Sequence, residues 1–455
     1  MNTPIADALF RRGLAREHGF EPLEIEGALP ASLEGTLYRN GPAVFELFGR
    51  RYLHPFEGDG AITAVRFAGG HVAGACRITA TAGLCEERAA GAMRHGWSAP
   101  PWRRVLNAAR GRQKNTANTS VLLWQRRMFA LMEGGRPVEI DPETLATLGE
   151  RDLGGVVGAM FSAHPHRVAA RRATYNFGTA FGRSSRLHLY ELPDAGPARR
   201  LGAVPLARPV MLHDFAVSAR HAIFFVSPVW IDVPRALTGL GTFHSIFRWE
   251  PKHGSEIIVV PLDAPGDVVR FTVPAFHQFH FANAFEDGET IVVDYCRYPD
   301  FASFAAVGAV DGAGADALAQ ARLCRARLDL RTRSFSSAPL VDVACDFPQV
   351  QAGQEGARHR FVWATDHDLG GILRVDTEDG TVDRHRVGAA EAVTEPVLAG
   401  PRGEWALTLG HDAARDRAFL AVYRSAQISD GPVARCWFGH HVPITFHGAW
   451  GAASS

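Results

Sequence analysis

From Leu23 onward the chain is a succession of short apolar runs, each closed within a few residues by Gly, Pro, Asn or Asp. Runs at 120–124, 128–132, 222–226, 257–260 and 418–423 are strand-sized and rich in β-branched or aromatic residues, too short for ordinary helices. That punctuation restricts the chain to folds built from many short strands, and 46 Gly with 27 Pro supply the turns. The class is all-β. A length of 455 residues is large for one domain, yet β-barrels and propellers run this long as single units, so one domain over 1–455 is expected. No repeat stands out at the motif level, so periodicity alone leaves propeller and sandwich both open. Seven blades of four strands need roughly 60 residues each, which the length accommodates. In a propeller the inner strand ends face the axis, so residues far apart in sequence can converge there.

Charge excludes some partners. Lys and Arg number 48, as do Asp and Glu, so no net field draws the protein to nucleic acid or to an anionic surface. No apolar stretch reaches the 18 residues of a membrane-spanning helix, and 1–19 carries charges where a signal peptide has its apolar core, so a soluble cytoplasmic protein is expected. The six cysteines, Cys76, Cys85, Cys296, Cys324, Cys345 and Cys436, show no CxxC spacing and are expected as buried thiols.

Three segments break the strand pattern. Residues 100–112 read as a helix begun by proline and stopped by glycine, with Trp102, Val105, Leu106 and Ala109 on one face and four arginines around it. It suits either a surface helix that dips into lipid at the mouth of an apolar tunnel or one packed on the body with solvated arginines. Residues 233–247 are also helix-like and expected beside it, and 308–322 form an alanine-rich insertion.

The stretch Phe279-His280-Phe281-Ala282-Asn283-Ala284-Phe285-Glu286-Asp287 places a histidine, an asparagine and two carboxylates where a strand runs into a turn. For any one of 20 histidines an ordinary structural role is the first reading. Three more, however, sit in similar strand-end settings: Ala163-His164-Pro165, Leu212-His213-Asp214 and Phe446-His447-Gly448. Four imidazoles without cysteine suit Fe(II), Cu or Ni rather than structural zinc or a hard cation, and six-coordinate iron so held keeps up to two positions for O2 and substrate. Metal-bound histidines usually donate their second N–H to a carboxylate. Glu133, Asp346 and Glu395, each in an apolar setting, are candidates for that part; solvated turn carboxylates are the other reading.

Nine motifs occur in an order similar to that of the carotenoid cleavage oxygenase family, over roughly residues 20 to 450. They are Leu37-Tyr38-Arg39-Asn40-Gly41-Pro42, Phe56-Glu57-Gly58-Asp59-Gly60, Asn115-Thr116-Ala117-Asn118-Thr119, Ala130-Leu131-Met132-Glu133-Gly134-Gly135, Ala163-His164-Pro165, His213-Asp214-Phe215, Phe279-His280-Phe281-Ala282-Asn283-Ala284, Gly431-Pro432-Val433-Ala434-Arg435 and Phe446-His447-Gly448. The resemblance implies a seven-bladed β-propeller capped by loops and helices, with one Fe(II) on its axis. It implies His164, His213, His280 and His447 as ligands, with Glu133 holding His213, Asp346 holding His280, and Glu395 holding His447. Thr119 matches a residue beside the iron that shapes the O2 position. His277 rivals His280 but does not fit the Phe-His-x-x-Asn-Ala frame; His166, His440 and His441 are expected to be bystanders.

The reaction implied is cleavage of a double bond in an apolar polyene by O2 to two carbonyl products, with no organic cofactor. Two departures stand out. Asp346 replaces the family's usual glutamate, so a bond to His280 requires an inward strand or a bridging water, and Glu57 replaces the more usual aspartate. Met132 stands where the stilbene-cleaving branch places a lysine for the phenol oxygen, which favours a carotenoid or apocarotenoid. Stilbene cleavage, retinoid-type isomerisation and non-catalytic carotenoid binding are the alternatives. Phe161, Phe215, Phe279, Phe281 and Trp450 are candidate tunnel residues whose first reading is core packing.

Overall fold

Seven antiparallel sheets stand side by side in a ring, each presenting one edge strand to a common axis. The computed structural model describes residues 3–182, 184–238, 243–304 and 319–453. Taken in order, the inner strands are His447–Ala452 in blade 1, Ser120–Trp124 in blade 2, His166–Val168 in blade 3, Ala216–Val217 in blade 4, His277–Asp287 in blade 5 and Cys345–Gln349 in blade 6. Blade 7 uses two short pieces, Glu391–Val393 and Val397–Ala399, both paired with Trp405–Asp412. Inner strands of neighbouring blades touch one another, as His277–Asp287 touches both Ala216–Val217 and Cys345–Gln349.

A separate apolar cluster fills each space between neighbouring blades, and this decides for the propeller over a two-layered sandwich. Side chains alternate across a strand, so one strand can serve two interfaces. In blade 5, Ile291, Val293 and Tyr295 of Thr290–Tyr298 pack toward blade 4, whereas Cys296 packs toward blade 6. Such strands are apolar on both faces, which is why they read as continuous runs.

The ring is closed twice by chain ends. His447–Ala452 pairs with Gly35–Val44 at the axis of blade 1, and Glu24–Gly27 pairs with Ala434–Trp437 at the outer edge of blade 7. His18–Pro22, one residue before that outer strand, instead pairs with His71–Ile78 at the outer edge of blade 1. The segment thus bridges the seam between the first and last blades.

The helix expected at 100–112 spans Pro101–Ala109 and lies against a shorter one, Val233–Thr238. Its apolar side faces outward: Trp102 is 61% exposed and Val105 49%, while Asn107 is buried. The insertion at 308–322 falls outside the described residues up to 318, and Arg322 already begins the strand Arg322–Asp329. No helix of the described residues is long and apolar enough to cross a membrane. Five cysteines are buried free thiols as expected; Cys85 departs from that reading and is exposed on the helix Ala82–Ala90, whose pattern buries Leu84 and Glu87 instead.

Candidate metal centre

Each blade carries one of the expected polar residues within its inner strand or within three residues of it. Thr119 precedes the inner strand of blade 2, His164 that of blade 3 and His213 that of blade 4. His280 lies within the inner strand of blade 5, Asp346 within that of blade 6, Glu395 between the two pieces of blade 7, and His447 opens the inner strand of blade 1. Four ring nitrogens, one each from His164, His213, His280 and His447, lie within 4.8 Å of one another. His164 Nε2 is 3.0 Å from His213 Nε2, which is 3.2 Å from His280 Nε2.

Carboxylates hold three of the rings from behind. His447 Nδ1 donates to Glu395 Oε1 at 2.8 Å, His280 Nδ1 to Asp346 Oδ1 at 2.8 Å, and His213 Nδ1 meets Glu133 Oε1. A neutral imidazole that donates through Nδ1 has only a lone pair at Nε2. Lone pairs turned on one another at this separation repel unless a cation lies among them, so the residues present fit a bound metal. Buried His164 has no carboxylate in hydrogen-bond reach; burial, reinforced by the neighbouring rings, holds it well below the usual histidine range and therefore neutral.

Asp346 reaches His280 directly, without an intervening water. The backbone explains the reach: pairing in Cys345–Gln349 is interrupted between Asp346 and Gln349, and Phe347 takes the left-handed conformation at φ 55°. That bulge carries the shorter side chain inward. The Phe347 N–H donates to Oδ1 at 2.8 Å and the Tyr298 hydroxyl to Oδ2 at 2.7 Å. Burial alone pushes the Asp346 carboxyl up, but His280 and these donors outweigh it and leave it below the ordinary range. Glu395 behaves likewise: burial is opposed by His447 and by the Arg39 guanidinium, which donates to Oε2 at 2.6 Å.

Arg39 and Tyr298 are parts of the centre that sequence reasoning missed. The available signal was a charged residue inside the strand-like run Leu37-Tyr38-Arg39-Asn40, where Arg39 is only 1% exposed. Of the other histidines, His277 lies outside the cluster, wedged edge-on between Phe279 and Phe301 at 4.6 and 4.9 Å, and burial pushes it down to about 3. His166 donates to Asp214 at 3.0 Å; although burial opposes it, that carboxylate raises the ring to about 10. His440 and His441 lie at the seam between blades 7 and 1. Thr119 places its backbone carbonyl 3.2 Å from the His447 N–H.

One side of the centre is walled by aromatics. Phe279 meets His213 edge-on at 5.6 Å and joins a cluster with Tyr298, Phe304, Phe56, Phe243 and Phe301. Phe161 and Phe215 sit instead inside the clusters between blades, and of the five expected tunnel residues only Phe279 belongs to this wall; Phe281 and Trp450 pack between blades and against Phe67 but also line a cavity bordered by His164, His280 and His447. His54 lies in the same wall, 5.9 Å from Phe304, and burial followed by neighbouring His244 pushes it down to about 3. With His277 equally neutral, this wall carries aromatic rings and uncharged imidazoles.

The family model of RPE65, described as retinal pigment epithelial membrane protein, matches residues 14–452. Apocarotenoid-15,15'-oxygenase of a Synechocystis strain is 32% identical, covering 94% of this chain and 92% of that protein. Isoeugenol monooxygenase of Pseudomonas nitroreducens is 28% identical, covering 94% of each. The crystal structure of cobalt-substituted Synechocystis ACO superimposes with a TM-score of 0.88 at 29% identity, over 99% of this chain and 98% of that one.

Proposed function

The chain belongs to the RPE65 family of carotenoid oxygenases, and from that premise we propose that it is a single-domain non-haem Fe(II) dioxygenase cleaving one double bond of a carotenoid or apocarotenoid. The observation that carries the reading is the meeting of four imidazole nitrogens beside an uncharged aromatic wall. His164, His213, His280 and His447 hold the metal; Glu133, Asp346 and Glu395 fix three rings in the tautomer that presents Nε2. Iron(II), when bound, supplies the activation of O2. A divalent cation also balances the three carboxylates once the charge of Arg39 is counted.

The protein's own contribution is placement. The wall around Phe279, Phe304 and Phe243 takes a polyene out of water and lays it beside His213, and Thr119, whose carbonyl holds the His447 N–H, is the residue we assign to shaping the O2 position. Two oxygen atoms enter, the carbon–carbon double bond breaks, and each carbon leaves as a carbonyl. Met132 offers no cation to a phenolate, and its sulfur is turned toward the Thr116 N–H at 3.0 Å, which supports a polyene over a hydroxylated stilbene. Trp102 and Val105 stand exposed on the helix that packs against Val233–Thr238, next to the turn holding Phe243, so lipid contact there would deliver an apolar substrate close to the wall.

Incubating the iron-loaded protein under air with a panel of carotenoids, apocarotenals and hydroxystilbenes, followed by mass spectrometry, tests the reading. Paired aldehydes from one polyene are expected; benzaldehyde-type products would overturn the use made of Met132. Flotation with liposomes checks the lipid contact, which replacing Trp102 and Val105 with serine should weaken.

A further inference from the structure

A second group of ligand atoms lies far from the axis, at the seam where the ring closes. His18 opens the outer strand of blade 1 and faces Cys76 as its cross-strand partner, while His440 comes from the segment leading from blade 7 to His447. One atom from each of these three side chains lies within 4.8 Å of the other two. Cys76 is fully buried and His18 is 9% exposed.

The hydrogen bonds around the two rings decide what the pocket can hold. His18 Nδ1 lies 2.8 Å from the Gly19 carbonyl, and His440 Nδ1 lies 2.8 Å from the His441 carbonyl. A carbonyl only accepts, so both rings donate through Nδ1 and both neutral rings keep a bare lone pair at Nε2. Those two lone pairs face each other at 2.8 Å. Something positive belongs there: a shared proton or a metal ion. The thiol beside them favours the metal, because thiolate with imidazole is the donor set of zinc and its softer neighbours, and backbone carbonyls holding Nδ1 are the usual orientation of zinc-bound histidine.

We propose that His18, Cys76 and His440 form a second metal site, for zinc or a cation of similar preference, that pins the outer edge of blade 1 to the last blade. Water completes the tetrahedron from the partly exposed His440 side. On binding, the Cys76 thiol loses its proton to solvent and the metal–sulfur bond forms; in the empty site burial pushes that thiol up to about 12, so it is protonated until metal arrives. The adjacent trio of His411, Asp416 and His441 does not share this character, because its carboxylate already receives both arms of Arg12.

Cobalt tells the two centres apart, since the axial cluster contains no sulfur. Iron-loaded protein titrated anaerobically with Co(II) should take up one further equivalent, release a proton, and develop sulfur-to-cobalt charge-transfer absorption in the near ultraviolet. Zinc should bleach that absorption. The near-isosteric Cys76→Ser protein should lack the band, and His440→Ala, altered at a partly exposed position, should bind the added cobalt more weakly, both keeping their axial iron. No band in the parent protein, or a band that survives in Cys76→Ser, would overturn the site and leave a shared proton between the two rings.

Discussion

The His447 and His280 sides of the centre use the same bond at the same 2.8 Å but differ in what stands behind it. Behind His447, Glu395 is gripped by a buried cation, Arg39, and also accepts from Gln349 and the Gly448 N–H. Behind His280, Asp346 has only neutral donors, the Tyr298 hydroxyl and the Phe347 N–H. The consequence shows in the rings. Burial lowers both, but at His280 the charge of Asp346, joined by Asp214 and Glu395, outweighs it and raises the ring, whereas at His447 burial together with the neighbouring His280 and His213 rings outweighs Glu395 and leaves it below the ordinary value. One identical contact therefore produces a ring ready to take a proton and a ring that resists one.

The largest effects should not distinguish the two sides. Replacing either His280 or His447 by alanine should remove bound metal and turnover together, while His277→Ala keeps both; metal analysis showing full occupancy in His280→Ala would break the comparison at its root.

Stability should separate them next. Arg39→Met strands Glu395 in a buried site and should cost about 3–5 kcal/mol in denaturant unfolding. Tyr298→Phe removes one hydrogen bond to a charged group and should cost about 1.5–3 kcal/mol. Equal losses would mean that Arg39 is not the difference.

Metal affinity sharpens the contrast further. Asp346→Asn and Glu395→Gln should each weaken metal retention by about 10- to 100-fold. Restoring the family's usual residue with Asp346→Glu should not improve on the native protein, because the bulge at Phe347 already brings the shorter chain into contact; tighter retention in a competition assay would contradict that account.

The smallest effect is the order of protonation. In metal-free protein His280, raised above 6.5, favours folding at pH below 6.5, and that contribution is lost as pH rises through its folded value. His447, lowered below 6.5, contributes above 6.5 and loses it as pH falls through its folded value. Imidazole NMR signals should show His280 charging first on acidification, and Arg39→Met should move His447 upward.

The class of fold and the four histidines were legible because both depend on short local patterns: strand-length runs, and motifs such as Phe279-His280-Phe281-Ala282-Asn283-Ala284 that keep their order. The bulge that rescues Asp346 was not, since nothing in Cys345-Asp346-Phe347-Pro348 marks Phe347 for a left-handed backbone. Nor was the aromatic wall, whose members come from residues 56, 243, 279, 301 and 304 and meet only once the cap has folded over the ring. Phe161 and Phe215 keep the core-packing role that is their first reading, between blades, whereas Phe281 both packs between blades and lines the cavity that His164, His280 and His447 border. His18 and Cys76 carried no signal at all, because their pairing is a matter of register across the seam.

His447 is the first residue of the strand that closes the ring against Gly35–Val44. In chain order three of the four imidazoles come at least 167 residues before the fourth, and that fourth arrives on the same few residues that finish the propeller. Until His447 has joined the ring, the chain can therefore gather no more than an incomplete cage. Possession of the full set of nitrogens is itself a certificate that the ring of blades has shut, so an oxygen-reactive metal would be gripped by four rings only in a finished molecule.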